Sequence, residues 1–353
     1  MEQGKATLQD LDLRCEELIQ EEFGECCNFD VDDSVQKLEK FGIVARGDNY
    51  KRRQVLTGEN YISKFGFTSV CGRSREMEDA VAVYPSLSMR EDGLHYFGVY
   101  DGHGCSHVAV KCMDRLHGLV KEELESSEGL TDWESAMERS FFRMDREVAE
   151  LDGDGNCPCE LRMPVYEAVG STAVVSMVSP DKIVVANCGD SRAVLFRKGK
   201  AVPLSVDHKP DRSDELSRIQ AAGGQVITWD CPRVLGVLNT SRAIGDDYLK
   251  PYVICQPEVT VIDRTAGDEF LILASKGLWE VVTNEKARRL ARTCLRGRAA
   301  ATAESNSLYW PEIGFGQENS DRACFCASAL LTSLALARHT SNNVSVVVIN
   351  LRT

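Results

Sequence analysis

The sequence predicts an α+β fold, and three features of its pattern carry that reading. Short apolar runs rich in β-branched and aromatic residues recur from Tyr61 onward and read as strands. Segments with apolar residues at three- and four-residue spacing lie between them and read as helices. Strands are spread through the whole chain, so the core cannot be divided midway. One domain over residues 61–353 is therefore expected, after a polar, acidic N-terminal extension over residues 1–60.

Taken in order, residues 65–70, 80–84 and 94–100 are predicted strands, followed by helices over about 107–124 and 133–151. A polar Gly-Asp-Gly-Asn loop at 153–156 leads to strands at 171–177, 183–187 and 193–196, the last ending at the Lys198-Gly199-Lys200 turn. Residues 214–222 read as a helix stopped by Gly223-Gly224. The final third repeats the mixture, with strands at 259–262, 270–274 and 344–351 and helices near 285–295 and 323–336. No internal repeat is present.

Composition narrows the function classes. A formal net charge of −13 disfavours a general binder of nucleic acid or anionic membrane, whose phosphates such a surface repels. No apolar window reaches the length of a membrane span, and the first residues lack the apolar core of a secretion signal. Fourteen cysteines without paired C-x-x-C spacing point to reduced thiols in a cytoplasmic or nuclear compartment, and a monomer is expected. The Lys51-Arg52-Arg53 run reads either as a solvated charge run or as an aid to nuclear import.

Asp101-Gly-His-Gly104 sits between a predicted strand and a helix. Taken alone it is either a structural turn or a source of a carboxylate, a backbone carbonyl and an imidazole close together. It is accompanied by Glu76-Met-Glu-Asp79, Cys188-Gly-Asp-Ser-Arg-Ala193, Asp207-His-Lys-Pro210, Ser241-Arg-Ala-Ile-Gly-Asp246, Leu278-Trp-Glu280 and Asn343-Val-Ser-Val346. In this order the set resembles the metal-dependent type 2C protein serine/threonine phosphatases, from about residue 61 to the end. Val234-Leu-Gly-Val237, Asp247-Tyr-Leu-Lys-Pro251 and the flap-like Gly223-Gly-Gln-Val-Ile-Thr-Trp229 resemble the plant branch that partners abscisic-acid receptors.

The resemblance implies a four-layer α-β-β-α sandwich, two antiparallel sheets flanked by helices, with two Mg²⁺ or Mn²⁺ ions at one end activating a water. It places Glu78, Asp79 and His103 at catalytic positions, and Asp101, Gly102, Asp190 and Glu280 at metal positions. Trp229 is implied as a partner contact, with packing of its own flap as the alternative. Abscisic-acid receptors, protein kinases and phosphoproteins are the implied partners.

Against that pattern the chain departs in three places. The family's Ser-Asp-Gly-Leu-Trp reads Ser275-Lys-Gly-Leu-Trp279 here, so Lys276 stands at a metal-ligand position. Asn342 stands where a second ligand aspartate is expected, and Ser74, between Arg73 and Arg75, stands where an arginine clamps phosphate. An ammonium about 4 Å from a divalent ion costs several kcal/mol even at an effective dielectric of about 20. Two expectations follow: a regulatory binding protein with impaired catalysis, its Lys276 ammonium paired with Asp101, or an active Mg²⁺/Mn²⁺ phosphatase with a rearranged site. Asp190 and Glu280 are candidates for a peripheral ion in either case.

Overall fold

Two five-stranded antiparallel sheets face each other across an apolar layer. The first is ordered β1 (Lys64–Val70), β15 (Val344–Asn350), β14 (Asp268–Ala274), β8 (Arg192–Arg197) and β9 (Lys200–Pro203). The second is ordered β13 (Glu258–Asp263), β7 (Lys182–Cys188), β6 (Ala173–Val178), β3 (His95–Tyr100) and β2 (Ala80–Tyr84). The computed structural model describes residues 64–87, 93–126, 132–150, 169–295 and 321–352. The extension over residues 1–60, its Lys51-Arg52-Arg53 run and the 153–156 loop lie outside them.

Strand β14 shows how sequence builds the layers. Successive side chains of a strand point to opposite faces, and every residue from Phe270 to Ala274 is buried. Phe270, Ile272 and Ala274 meet the helices, while Leu271 and Leu273 meet the other sheet. Each of the four larger side chains contributes about 1.5–3 kcal/mol by leaving water. Phe65, Phe97, Val99, Val174, Leu195 and Val347 complete the central layer, with Phe65 and Phe97 packed edge to face at 5.6 Å.

The outer layers are helical. Helices α1 (His107–Ser126) and α2 (Trp133–Ala149) cover the second sheet, Leu116, Leu119, Met137 and Phe141 packing on Tyr96, Val175 and Met177. Asp132 opens α2 by accepting the Ser135 N–H, one of the donors a helix start leaves unpaired. On the other side, α5 (Asn284–Leu295) and α6 (Arg322–Ala337) cover the first sheet through Leu290, Leu331 and Leu334. The four-layer α-β-β-α sandwich expected from the resemblance is the architecture found. A further helix, α3 (Ser213–Ala221), supports the segment that carries the flap.

Three local expectations change. The strand expected over 171–177 breaks at Thr172 into β5 (Gly170–Ser171) and β6, because the Thr172 N–H turns to the Asp101 carbonyl at 2.9 Å. The Ser275-Lys276-Gly277 turn is the start of a single helical turn, α4 (Lys276–Trp279), with Ser275 at its N-cap. The flap-like segment, which carried no predicted strand, is a hairpin, β10 (Val226–Thr228) paired with β11 (Pro232–Val234). Short runs such as Val226-Ile-Thr228 carry too little alternation to announce a strand, and their pairing is settled by the partner.

Candidate functional site

The site follows from topology. β1 ends where β15 begins, β14 ends beside the start of β8, β2 begins beside the end of β3, and β6 begins beside the end of β7. The segments just beyond these ends are residues 71–79, 101–103, 189–191, 275–277 and 342–343, so the two sheets gather them at one rim. Every residue predicted for the catalytic, metal and phosphate roles lies in these segments or on the helical turn that follows β14.

Asp101 follows buried Tyr100, and its Oδ2 accepts the Lys276 backbone N–H at 3.1 Å. The Lys276 ammonium goes elsewhere: its Nζ lies 3.3 Å from Glu280 Oε1 and 3.7 Å from Asp190 Oδ2. The expected pairing of ammonium with Asp101 is therefore corrected, because i,i+4 spacing on the helical turn brings Glu280 nearer. Burial opposes the charge on Lys276, but Asp190, Glu280 and Asp101 outweigh it and raise its pKa, so the side chain stays an ammonium at neutral pH.

The remaining carboxylates of that cluster are also occupied. Asp190 Oδ2 accepts Lys209 Nζ at 2.6 Å, and Glu280 Oε2 accepts the Asn342 amide at 2.7 Å. A continuous chain thus runs Lys209, Asp190, Lys276, Glu280, Asn342, opposite charges alternating until the neutral amide. Both carboxylates expected to hold a peripheral ion already have cations of the protein itself beside them.

Asp79 and Asp101 are in a different state. Burial pushes Asp79 up to about 6, against hydrogen bonds from Ser345 and Ser275, with the Glu78 charge adding to the rise. Its Oδ2 accepts the Ser345 hydroxyl at 2.7 Å, while Oδ1 is buried with no protein partner among the described residues. Asp101 is held well above the ordinary carboxylate range by burial and by the charges of Asp79 and Asp190, which the Lys276 amide and ammonium only partly offset.

His103 lies on β4 (Gly102–His103), and its Nε2–H donates to Asp246 Oδ2 at 2.8 Å. Burial disfavours the imidazolium, but the Asp246 charge and hydrogen bond, with Asp190 and Glu78, raise its pKa. Glu78 is raised by burial, opposed by His103 and reinforced by Glu76. The Glu78 carbonyl lies against Gly102, where an added Cβ would sit 2.3 Å from it. Gly102 thus lets the Glu78 segment close over the Asp101 turn.

On the phosphate side, Arg73 and Arg75 are both exposed and Ser74 is half-buried. The Arg73 guanidinium donates to His339 Nδ1 at 2.6 Å. The segment carrying all three is held by Asn343, whose Oδ1 accepts the Glu78 N–H at 2.8 Å and whose Nδ2 donates to the Cys71 and Glu76 carbonyls, each at 2.9 Å.

Several of these residues had no role in the sequence reading: Lys209, Asn343, and the serines Ser275 and Ser345, whereas Asp246 was expected at an acidic position of the family. All four lay within quoted motifs, but nothing in a linear pattern says which carboxylate a lysine meets. A serine directly after the buried strand β14, as Ser275 is, and a serine near the start of the otherwise apolar β15, as Ser345 is, were the available signal.

Trp229 stands at the tip of the flap hairpin and is 76% exposed, so the flap-packing alternative does not hold. Between the hairpin and the sandwich, Glu215 of α3 ties that helix to the segment at Ser241-Arg242. Burial alone would raise this carboxylate, but Arg242 (2.6 Å), Arg218 (2.8 Å) and the Ser241 hydroxyl (2.6 Å) hold it down to about 2. A carboxylate depressed in the folded state stabilises above its unfolded pKa and loses that contribution as pH falls through the folded value. Its full worth, about 3 kcal/mol at roughly 1.4 kcal/mol per unit, should therefore be present above about pH 4.5 and fade toward pH 2. Glu215→Gln should lower the denaturant midpoint at pH 7, and the gap from the native chain should narrow by about half at pH 3. An equal gap at both values would remove Glu215 from this role.

The fold and rim geometry can be set beside known proteins. The family model described as protein phosphatase 2C matches residues 63–309. Probable protein phosphatase 2C 78 of Arabidopsis thaliana is 61% identical over 307 residues, spanning 82% of this chain and 73% of the relative. Protein phosphatase 2C 37 of the same plant is 52% identical over 347 residues, spanning 92% and 81%. A crystal structure of serine-threonine phosphatase 2C from Toxoplasma gondii superposes with a TM-score of 0.62 at 21% identity, over 83% of this chain and 96% of that one, a likeness of fold. A family match over most of the sandwich and relatives above half identity along nearly all of it lead to one conclusion: this chain belongs to the protein phosphatase 2C family.

Proposed function

We propose that this chain is a type 2C phosphatase whose hydrolytic site is closed by its own ion pairs, and that it acts as a regulatory binding protein in abscisic-acid and kinase signalling. The observation that carries the reading is the Lys276 ammonium between Glu280 (3.3 Å) and Asp190 (3.7 Å). The Mg²⁺ or Mn²⁺ pair implied by the family does not fit these residues. A permanent cation lies among the candidate ligands, Asn342 offers Glu280 an amide donor where a ligand would offer an anion, and two like-charged centres this close repel strongly.

A second reading, an active Mg²⁺/Mn²⁺-dependent serine/threonine phosphatase, is favoured by the relatives, which are named as phosphatases, and by the retained Asp79, Asp101 and His103–Asp246 pair. One assay separates the two. Turnover of a phosphoserine peptide in millimolar Mn²⁺ is expected to equal that of an Asp101→Ala control. Turnover well above that control and abolished by a chelator would establish the active reading.

The partner side rests on the flap. An exposed tryptophan at a hairpin tip has the character of an interface anchor, and truncating such an anchor costs about 2 kcal/mol or more, roughly thirtyfold in affinity. Trp229→Ala should weaken binding to an abscisic-acid receptor by that factor in calorimetric titration, with the melting temperature nearly unchanged. Equal binding by both proteins would take Trp229 out of the interface, and binding by neither would count against the receptor.

A further inference from the structure

We infer that a cationic cap at the end of the sandwich remote from the candidate site is a docking surface for the chain's own acidic stretch, residues 16–33. The inference is independent of whether the site hydrolyses phosphate.

The cap is built around two carboxylates. Glu269 accepts the Gly199 N–H at 2.7 Å, pairs with Arg352, and has Arg292 Nε at 3.7 Å. Its neighbour Asp268 pairs with Arg197. Gly199 lies in the turn between exposed Lys198 and Lys200, and an added Cβ there would be 3.9 Å from the Arg292 guanidinium. Five cations thus surround two anions.

Their depths differ, and that decides what solvent meets. The side chain of Asp268 is fully buried and that of Glu269 is 12% exposed, whereas Arg352 is 39% exposed and both lysines are at the surface. Asp268 and Glu269 lie beneath and the five cations outside, while exposed Asp263, whose carbonyl accepts Arg197, is matched by Lys182, so this end presents net positive charge on a chain of net charge −13. Such a patch attracts an acidic segment over about a Debye length, roughly 8–10 Å.

The chain supplies one. Its first 33 residues carry eleven carboxylates and two basic residues, and eight of those carboxylates fall in residues 16–33, interleaved with Leu18, Ile19, Phe23 and Phe29. The extension also enters the sandwich at the right end. Lys64 opposes Asn350, two residues before Arg352, and Asn350 opposes Phe270, next to Glu269. From β1 across β15 and β14 to β8 is three strand spacings, about 14 Å. Thirty residues separate 33 from 64, and a tether of that length has a reach of about 30 Å. Tethering at that range corresponds to an effective concentration on the order of millimolar, enough for a modest electrostatic affinity to hold. The candidate site lies at the other end of β14, seven residues or about 23 Å away, so docking leaves the rim and the flap uncovered.

The test uses the full chain and zero-length carbodiimide cross-linking, which joins a lysine amine to a carboxylate in direct contact. Mass spectrometry is expected to find amides from Lys198 and Lys200 to carboxylates of residues 16–33 within one chain. They should be independent of protein concentration and suppressed in about 1 M salt, where charges are screened beyond about 3 Å. The variant Lys198→Glu/Lys200→Glu has no lysine to cross-link there, so its readout is chymotryptic cleavage after Phe23 and Phe29. That cleavage should be at least about tenfold faster than in the native chain, with the melting temperature unchanged. Cross-links spread equally onto Lys121 and the rim residue Lys209, cross-links only between chains, or unchanged cleavage in the variant would each overturn the inference.

Discussion

Replacing Lys276 and Asn342 together with aspartate should convert an ion-paired rim into a divalent-metal site. The exchange makes the cluster more negative by three charges, and each is worth several kcal/mol to a divalent ion about 4 Å away at an effective dielectric near 20. Without metal the double variant should be less stable than the native chain. Glu280 would lose its partner Lys276 and face a carboxylate where it now meets the Asn342 amide at 2.7 Å. Mn²⁺ should reverse that loss, since a ligand bound only by the folded state raises stability as its concentration grows. The expected result is a melting temperature that climbs with Mn²⁺ in the variant and stays flat in the native chain, with calorimetric affinity at least about 100-fold tighter. Adding Ser74→Arg should then bring phosphopeptide binding, through a guanidinium suited to bidentate contact with phosphate oxygens. A folded double variant that binds no Mn²⁺ would show that positions 276 and 342 are not ligand positions.

The second large effect concerns the residue next to Lys276. At Gly277 an added Cβ would sit 2.1 Å from the Asn343 carbonyl, a backbone atom that cannot swing aside. This contact lets the turn after β14 meet the segment before β15, and so holds Lys276 and Asn342 around Glu280. Gly277→Ala must push these strand ends apart at a buried point. Overpacking of this kind costs about 1–3 kcal/mol and more where only backbone can yield, so a loss of about 3 kcal/mol is expected. At roughly 2–4 °C per kcal/mol in a domain of this size, the melting temperature should drop by about 6–12 °C. The shared segments predict a second readout: the Lys276–Glu280 and Asn342–Glu280 contacts should loosen, speeding amide exchange at residues 276–280 beyond the global change. A stable Gly277→Ala chain would mean that the two segments approach less closely than described.

Much of the sandwich was legible in the sequence because its central strands are short and buried on both faces. Phe270-Leu-Ile-Leu-Ala274 has no polar residue to offer solvent, so its place in the interior follows from composition alone. Strands β2 and β14 and helices α1, α2, α5 and α6 were each readable to within one or two residues. The small elements were not. β4, β5 and β12 (Ile244–Gly245) are two residues long and exist only because each supplies the other's hydrogen bonds.

At the rim the division is sharper. That Lys276, Asn342 and Ser74 depart from the family's residue types is a fact of sequence, since residue identity at a motif position needs no coordinates. Where the Lys276 charge goes is not. Asp101, Asp190 and Glu280 are 175, 86 and 4 residues from it, and a linear pattern ranks none of them. The tertiary structure gave Asp101 the backbone amide and sent the ammonium to Glu280 and Asp190, because one helical turn after β14 aims residues 276 and 280 along the same face. The same holds at the far end: the excess of carboxylates near the N-terminus is plain in the sequence, but burial alone placed Asp268 and Glu269 beneath their cations. Residue type sets how much charge a chain carries, and only packing decides which charges solvent meets.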